Sequence, residues 1–525
     1  MTETDKDLVL GYDFGTSAVK AALIRRDGSI AARGSAPYPL QLPASGWAEQ
    51  RPEDWWAAMR KVTASVMADA GAGPARLAAI GICAQMCGVV PVDAGGAALS
   101  PCLIWLDTRS AGLARKVWGG SISLAGYAPV NLYRWMRITG GAPNLSGKDP
   151  TSKMLWLREH APQAWQRVHK LLDVKDYIVR RCTQQSVTSF DTAHLTWLFD
   201  AREGRKQWSS ELLRRVGLDS DLLPDVMPAT GVAGGLAADA AAELGLAAGT
   251  PVTAGFGDVS AAALSSGAVA PGAAHICVGT SAWFGAHLAK SRVDPLTGIG
   301  TICRADGEGY LLIAAQESAG ASLRWVMEAM GFAPEGFDAF ENLAREARPQ
   351  AGAPMFFPWL YGERAPIQDE RVRGGFLNLS MEHSRAGMAR AAYEGVALNL
   401  RWAMVPFDRL AGTPGTPLRI TGGGANSAFW CQMFADMLGR QIERVEAADL
   451  GGAKGGAMTA AVAAGWYKNI AAAAAAMTRV ERTFLPDPSL ARLYQERFAL
   501  FAAAYRRLRP WYRRLSGNYA APGRN

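Results

Sequence analysis

The stretch from Leu8 to Ile24, LVLGYDFGTSAVKAALI, carries an apolar, strand-like run onto the turn Gly15-Thr16-Ser17. The same three residues return half a chain later as Gly279-Thr280-Ser281. They lie inside AHICVGTSAWFGAHL, from Ala274 to Leu288, again after an apolar run. Each copy reads as a strand, a tight Gly turn and small hydroxyl residues. Backbone N–H groups and hydroxyls converge in such a turn with no bulky Cβ in the way, which is how a phosphate is cradled. One copy alone reads equally well as an ordinary hairpin turn. Two copies point to two related domains gripping one nucleotide from opposite sides. The copies differ at one informative place, where Asp13 in the first is matched by Cys277 in the second. One acid on paired phosphate turns is what a single Mg²⁺ site needs.

A chain of 525 residues exceeds one core and predicts two large domains. Its apolar content is ordinary, its Gly content high and its charge sparse, the profile of a globular α/β protein. The net charge of +8 is scattered, apart from Arg506, Arg507, Arg509, Arg513 and Arg514 on a helix-like tail. That cluster reads as a solvated helix face rather than an RNA or membrane patch. No helix-turn-helix pattern precedes the first strand, so nucleic acid is not an expected partner. The seven cysteines lie mostly in apolar runs such as IGICAQMC and HICVGT, without a CxxC pair. Buried free thiols in a reducing cytoplasm fit this usage, and Cys83 and Cys87 have no nearby His to complete a zinc site. The opening MTETDKDLVLG has no signal-peptide core, and no apolar run reaches membrane-spanning length.

Short apolar runs alternate with helical patterns throughout, as in an α/β chain. LVLGYDFG and AALIRRDGSIAARG open a sheet, with Asp27-Gly28 as a hairpin turn. A helix follows over residues 53–70, with Pro52 at its first turn, and then a buried strand over 77–82. Helices are predicted over 152–159 and from Lys175 onward, and PVTAGF is a strand at the crossing between domains. The boundary falls near Phe256 to Ser260, giving domains 7–257 and 258–515. The final helix is free to pack on either domain.

The chemistry concentrates at few places. Asp258, in GFGDVSAAAL, should project from a strand end into a cleft, where a carboxylate can take a proton from an attacking hydroxyl. A helix N-cap is the plainer reading of the same residue. Gly422-Gly423-Gly424 with Asn426 opens a helix after a strand, and Asn426 either caps that helix or bonds an adenine edge. The stretch GGAKGGAM, Gly451 to Met458, reads similarly and would line the other side of a nucleotide. AQMCG ends a strand at Gly88. IWLDTRS places Asp107 and Arg109 together, suited to the hydroxyls of a small polyol or, alternatively, to a structural ion pair.

Together these segments resemble the FGGY carbohydrate kinase family, most of all its xylulokinase branch, from about Leu8 to Trp466 and in the family's order. DFGTSAVKAALI is similar to the first phosphate motif and AQMCG to the sugar-binding QMHG turn. LLDVKDYIVRRCTQQSVTSFDTA is similar to the KDY…T…SD segment, and GFGD to the catalytic aspartate motif. FFPWLYGERAP is similar to PYLSGERTP, and TGGGANSAFW to the adenosine motif. Any one of these motifs is weak alone, but the ordered set is specific.

The resemblance implies two ribonuclease-H-like domains of the actin and hexokinase ATPase type, with ATP and sugar in the cleft between them. It implies ATP-dependent phosphorylation of a pentulose, D-xylulose to D-xylulose 5-phosphate, with Asp258 as general base. Asp13 would organise Mg²⁺. Gly15, Thr16, Ser17, Lys20, Gly279, Thr280 and Ser281 would hold the phosphates, and Gly422, Gly423, Gly424 and Asn426 would border adenosine. Gln85, Met86, Cys87, Asp107 and Arg109 would meet the sugar. A cytoplasmic enzyme, assembled as a homodimer, is the family expectation. Alternatives are a kinase of the family for ribulose, L-xylulose, erythritol or glycerol and, more remotely, a non-catalytic actin- or chaperone-like ATP switch. Three residues depart from the pattern. Cys87 replaces the histidine of QMHG, Val259 an Asn or Gln after the catalytic Asp, and Leu106 an Asn before Asp107. All three fall in the sugar half, where a lost hydrogen-bonding partner lowers discrimination.

Overall fold

The Leu8 to Ile24 stretch forms the hairpin its pattern predicts in a computed structural model that describes residues 6–124 and 126–517. Strand β1 (Leu8–Phe14) pairs antiparallel with β2 (Ala18–Arg25), and β2 with β3 (Ile30–Pro37). Helix α1 (Pro52–Asp69), with Pro52 in its first turn, leads to β4 (Leu77–Ala84), parallel to β1. Helices α2 (Pro150–His160) and α3 (Val174–Thr183) follow, before β5 (Pro251–Thr253) and β6 (Phe256–Gly257) add parallel to β4. Every residue of β4 is buried, which is why its sequence LAAIGICA shows no polar alternation.

The second half repeats the plan. Helix α4 (Asp258–Ser265) precedes β7 (Ala274–Val278) and β8 (Ala282–Leu288), which pair antiparallel. Strand β9 (Ile299–Cys303) and β10 (Tyr310–Gln316) continue the antiparallel side, with β10 against β8. Helix α5 (Arg385–Ala411) then leads to β11 (Leu418–Thr421), parallel to β7. Helix α6 (Ala428–Leu438) leads to β12 (Ile442–Val445), parallel to β11. Each half is thus a three-strand antiparallel meander extended by parallel strands. The two GTS turns are the first hairpin of each meander. The copies are not identical, since Phe14 pairs with Val19 but Val278 pairs with Ala282, so the second turn is one residue shorter.

Alternate residues of β1 serve different layers. Leu8, Leu10, Tyr12 and Phe14 pack with Trp55, Met59 and Val62 of α1. Val9 packs instead with Ala453, Ala457 and Met458 of α7 (Gly451–Ala463), a helix from the far end of the chain. The GGAKGGAM stretch forms the first turns of this largely buried helix. Its glycines allow backbone-to-backbone approach. A Cβ on Gly11 would stand 2.0 Å from the Ala453 carbonyl, and one on Gly81 would stand 1.8 Å from that of Gly456. The last helix, α8 (Ala491–Gly517), joins the second core through Tyr494, Phe501, Tyr505 and Tyr512, and leaves Arg506, Arg507, Arg509, Arg513 and Arg514 exposed. No helix of the described residues is long and apolar enough to cross a membrane.

Candidate active site

Strand parity puts Asp13 on the α7 face of the first sheet, directly opposite Lys20 in the hairpin. Its carboxylate receives only the weak Sγ–H donor of Cys83, at 3.7 Å, among the described residues. Burial pushes its proton affinity up, and the Lys20 ammonium opposes that rise. The Lys20 ammonium itself donates to the Asp449 carbonyl at 2.9 Å, which ties the first hairpin to the entry of α7. Ser17 and Thr280 lie exposed at the tips of their turns. The Thr16 hydroxyl is already engaged. It receives the Trp105 indole N–H at 3.1 Å and donates weakly to Gln85 Oε1 at 3.5 Å.

On the adenosine side, Gly422 has φ +88°, and its missing Cβ would stand 2.5 Å from the Val278 carbonyl, so only glycine brings this turn against the second phosphate strand. Gly423 has open space on the side where a Cβ would point. Asn426 does not cap the following helix. Ser427 does, accepting the Trp430 N–H at 2.9 Å.

Asp258 is the first residue of α4, at the end of β6, as the strand-end reading requires. The cap position belongs to Gly257, and the Asp258 carboxylate accepts the Val259 N–H at 2.8 Å. Burial first, and the Asp13 carboxylate second, raise its proton affinity to a pKa of about 7. A carboxylate so placed is ionised for about half the molecules at neutral pH and is basic enough to accept a hydroxyl proton in a transition state.

The turn Gln85–Gly88 sits beside it. Gln85 is buried and donates to Gln50 Oε1 at 2.7 Å, while Gln50 donates to the Thr16 carbonyl at 2.6 Å. This network joins the AQMCG turn to the first GTS turn. Met86 packs on Gly257, where any Cβ would overlap its side chain. Cys87 adopts φ +64°, a left-handed conformation that is costly for a side chain with a Cβ. Its backbone is clamped. Asp173 accepts the Cys87 N–H at 3.0 Å and the Gly88 N–H at 2.9 Å, and Lys153 donates to the Cys87 carbonyl at 2.8 Å. The Lys153 ammonium also reaches the Ile104 carbonyl at 2.7 Å, joining the two sugar-side turns.

Asp107 and Arg109 correct the sequence expectation. Asp107 is fully buried, and its oxygens accept the Ala48 N–H at 2.7 Å, the Arg109 N–H at 3.0 Å and the Arg109 guanidinium at 2.7 Å. Arg109 continues to Glu49 at 2.7 Å and lies 3.7 Å over the Trp47 ring. The pair is a structural ion pair, with no carboxylate edge left for a polyol. Two of the three departures are also absorbed by packing. Leu106 rests on the first core, and Val259 packs against the cluster of Ala263, Ile302 and Leu311. Cys87 alone remains a departure within the site.

Sequence reasoning missed several residues. Asp173 was legible as a capping box with Asp176, and burial and then Asp176 push its pKa to about 7. Lys153 was signalled only by a charge in the apolar run SKMLWL. Lys148 forms a close ion pair with Glu317, which also pairs with Arg364 of the GERAP loop, so a charged bridge joins the two halves of the chain. Glu363 holds that corner by accepting the Glu317 and Arg364 N–H groups, both at 2.8 Å.

No group of three or more His, Cys, Asp or Glu side chains among the described residues is arranged to hold a metal. Mg²⁺ bound with a nucleotide takes one or two carboxylates and completes its shell with water and phosphate oxygens. Asp13, short of donors and standing near a second acid, fits that limited demand.

Two sheets of one topology, each with a phosphate-type turn, and a strand-end aspartate between them define a phosphotransferase of the ATPase-like sugar kinase class. Residues 8–265 match the N-terminal domain and residues 274–464 the C-terminal domain of the FGGY family of carbohydrate kinases, and the chain belongs to this family. A xylulose kinase of Staphylococcus epidermidis is 29% identical over 503 residues, 95% of this chain and 97% of its own. A gluconokinase of Bacillus subtilis is 28% identical over 444 residues, 83% of each chain. The crystal structure of a xyloylose kinase from Brucella ovis superposes with a TM-score of 0.83 at 29% identity, covering 96% of this chain and 100% of its own. The protein is a carbohydrate kinase that phosphorylates a sugar-type substrate.

Proposed function

We propose that the substrate is D-xylulose and the product D-xylulose 5-phosphate. Asp258 takes the proton of the sugar's terminal hydroxyl as that oxygen bonds the γ-phosphorus of ATP. The bond from the γ-phosphorus to the bridging oxygen breaks, and ADP leaves with the electron pair. The GTS turns, Lys20 and the Gly422–Gly424 turn with Asn426 hold the nucleotide, and Met86 and Cys87 meet the sugar. Asp13 would hold Mg²⁺ through water, which supplies charge neutralisation on the phosphates. The two lobes of the reading are residues 7–257 and 258–515.

The observation that carries this reading is the Asp258 carboxylate, set at the strand-to-helix corner with its proton affinity raised to about 7. The similarity to a xylulose kinase over most of both chains supports the sugar. A second reading, a kinase for another ketose, a polyol or an aldonic acid, draws on Cys87 and on the gluconokinase relative. ADP release measured with Mg-ATP and a panel of ketoses, polyols and gluconate, beside Asp258→Asn, tests both. Selective response to D-xylulose, abolished in the variant, is the expected result. A better response to another substrate replaces the sugar. Sugar-independent turnover that is unchanged in the variant overturns the kinase reading in favour of an ATP switch.

A further inference from the structure

We infer that Asp191 is a positioning residue for phosphoryl transfer, its carboxylate holding the strand-to-helix corner from which Asp258 projects. The inference rests on the reading of Asp258 as the base.

A helix start is normally tied down by the side chain of its cap residue. The cap residue of α4 is Gly257, which has none. Asp191 reaches this corner from another part of the chain and accepts the N–H of the cap residue itself. It is fully buried, and its Oδ2 accepts the Gly257 N–H at 3.0 Å and the Ser260 hydroxyl at 2.6 Å. Its Oδ1 accepts the Ser189 hydroxyl at 2.5 Å. Gly257 and Ser260 bracket Asp258, so one carboxylate holds the chain on both sides of the base, through a backbone N–H before it and a side-chain hydroxyl after it.

The clamp is itself anchored. Asp191 lies on a short helix, Phe190–Leu195, and His194 of that helix is buried between the two halves of the chain. Its Nδ1 accepts the Cys303 N–H of β9 at 2.8 Å, and its Nε2 meets the Thr139 carbonyl at 2.7 Å. Burial lowers this imidazole to about 4, so it stays neutral with its proton on Nε2, as both contacts require. Phe190 packs edge-on against Phe199 and lies against Gly307 of the second half. The position of Asp191 is therefore set by contacts that do not involve Asp258. The base inherits that position through Gly257 and Ser260.

A positioning role predicts loss in the chemical step with binding retained, since the Asp191 carboxylate is fully buried and both its oxygens are engaged by the protein. A displacement of 1 Å at a reacting group costs about 10²-fold in rate. The experiment measures initial rates with Mg-ATP and the preferred sugar for the wild type, Asp191→Ala, Asp191→Asn, Ser260→Ala, Asp258→Asn and the double variant Asp191→Ala/Asp258→Asn, with thermal melting to check folding. The expected result is kcat lowered about 10²-fold in Asp191→Ala, with both KM values within about twofold of wild type. Partial recovery in Asp191→Asn, a smaller loss in Ser260→Ala, and no further loss when Asp191→Ala is added to Asp258→Asn complete the pattern. Wild-type kcat in Asp191→Ala, or losses that multiply in the double variant, overturns the inference. If Asp191→Ala does not fold, unchanged kcat in both Asp191→Asn and Ser260→Ala overturns it, and lowered kcat in both with retained KM supports it. A fully active Asp258→Asn refutes the general-base reading and this inference with it. An inactive Asp258→Asn beside a normal Asp191→Ala refutes this inference alone.

Discussion

The Asp13 carboxylate, on the first strand, acts on that of Asp258 at the end of a distant strand of the same sheet, and after burial it is the largest influence raising the Asp258 pKa to about 7. The two acids have different tasks in the proposed reaction, and their separation in sequence means that their mutual influence exists only once the first sheet has assembled.

This coupling predicts the pH dependence. A general base must be ionised, so kcat/KM should fall below pH of about 7, and the acid limb should vanish with the residual activity of Asp258→Asn. Stability moves the other way. The folded pKa lies above the unfolded value near ~3.9, so the folded state holds an extra proton between them, and its stability drops as pH rises through that window. Asp258→Asn should therefore gain stability over wild type as pH rises from about 4 to about 7, read by denaturant unfolding of the ligand-free protein at a series of pH values.

Cys87→His should improve use of D-xylulose. The left-handed backbone at this position is compatible with histidine, and Asp173 and Lys153 clamp the turn through its backbone groups alone. One regained hydrogen bond is worth about 0.5–1.5 kcal/mol, so kcat/KM for D-xylulose should rise roughly twofold to tenfold. An unchanged or lower value would show that the thiol fits a different substrate.

Gly452→Ala should disable the metal-side acid. Its added Cβ would stand 2.2 Å from the Asp13 carboxyl carbon, too close for any rotamer to absorb without moving that carboxylate. Gly112→Ala, at a helical position with open space, is the matched control. The expected outcome is a raised Mg²⁺ requirement for ADP release in Gly452→Ala and none in the control.

Lys148→Met should loosen closure of the two halves. The ammonium pairs across them with Glu317, which is almost fully buried. A pair of this exposure is worth about 1 kcal/mol, so KM for the sugar should rise roughly threefold to fivefold. The radius of gyration with saturating ligands, measured by X-ray scattering, should exceed that of wild type.

Much of the fold was legible because its signals are local. Each GTS turn needs only its own glycine and hydroxyls, and each flanking strand announces itself by an unbroken apolar run. Asp258 was legible for the same reason, since GFGD marks a strand end and SAAAL a helix start. The first sheet's hairpins and α1 followed from Asp27-Gly28 and Pro52.

What the sequence could not decide was long-range. GGAKGGAM opens α7, but its backbone lies against the first sheet only because Gly11 and Gly81, hundreds of residues earlier, leave room for it. Asp107 and Arg109 have the chemistry of a sugar site, but Ala48, Glu49 and Trp47 close over them, and burial decides their role. Leu106 and Val259 look like lost sugar contacts until their apolar neighbours are seen. Asp191 lies in the segment similar to KDY…T…SD, but that likeness says nothing of what its carboxylate holds. Its role arises because a buried carboxylate must satisfy donors wherever the fold places them, and here the fold places Gly257 and Ser260. The sequence by itself determined the elements, the duplication and the place of Asp258 at a strand-to-helix corner. Tertiary structure decided which polar groups stay open to ligands, because desolvation and hydrogen-bond satisfaction depend on neighbours that are distant along the chain.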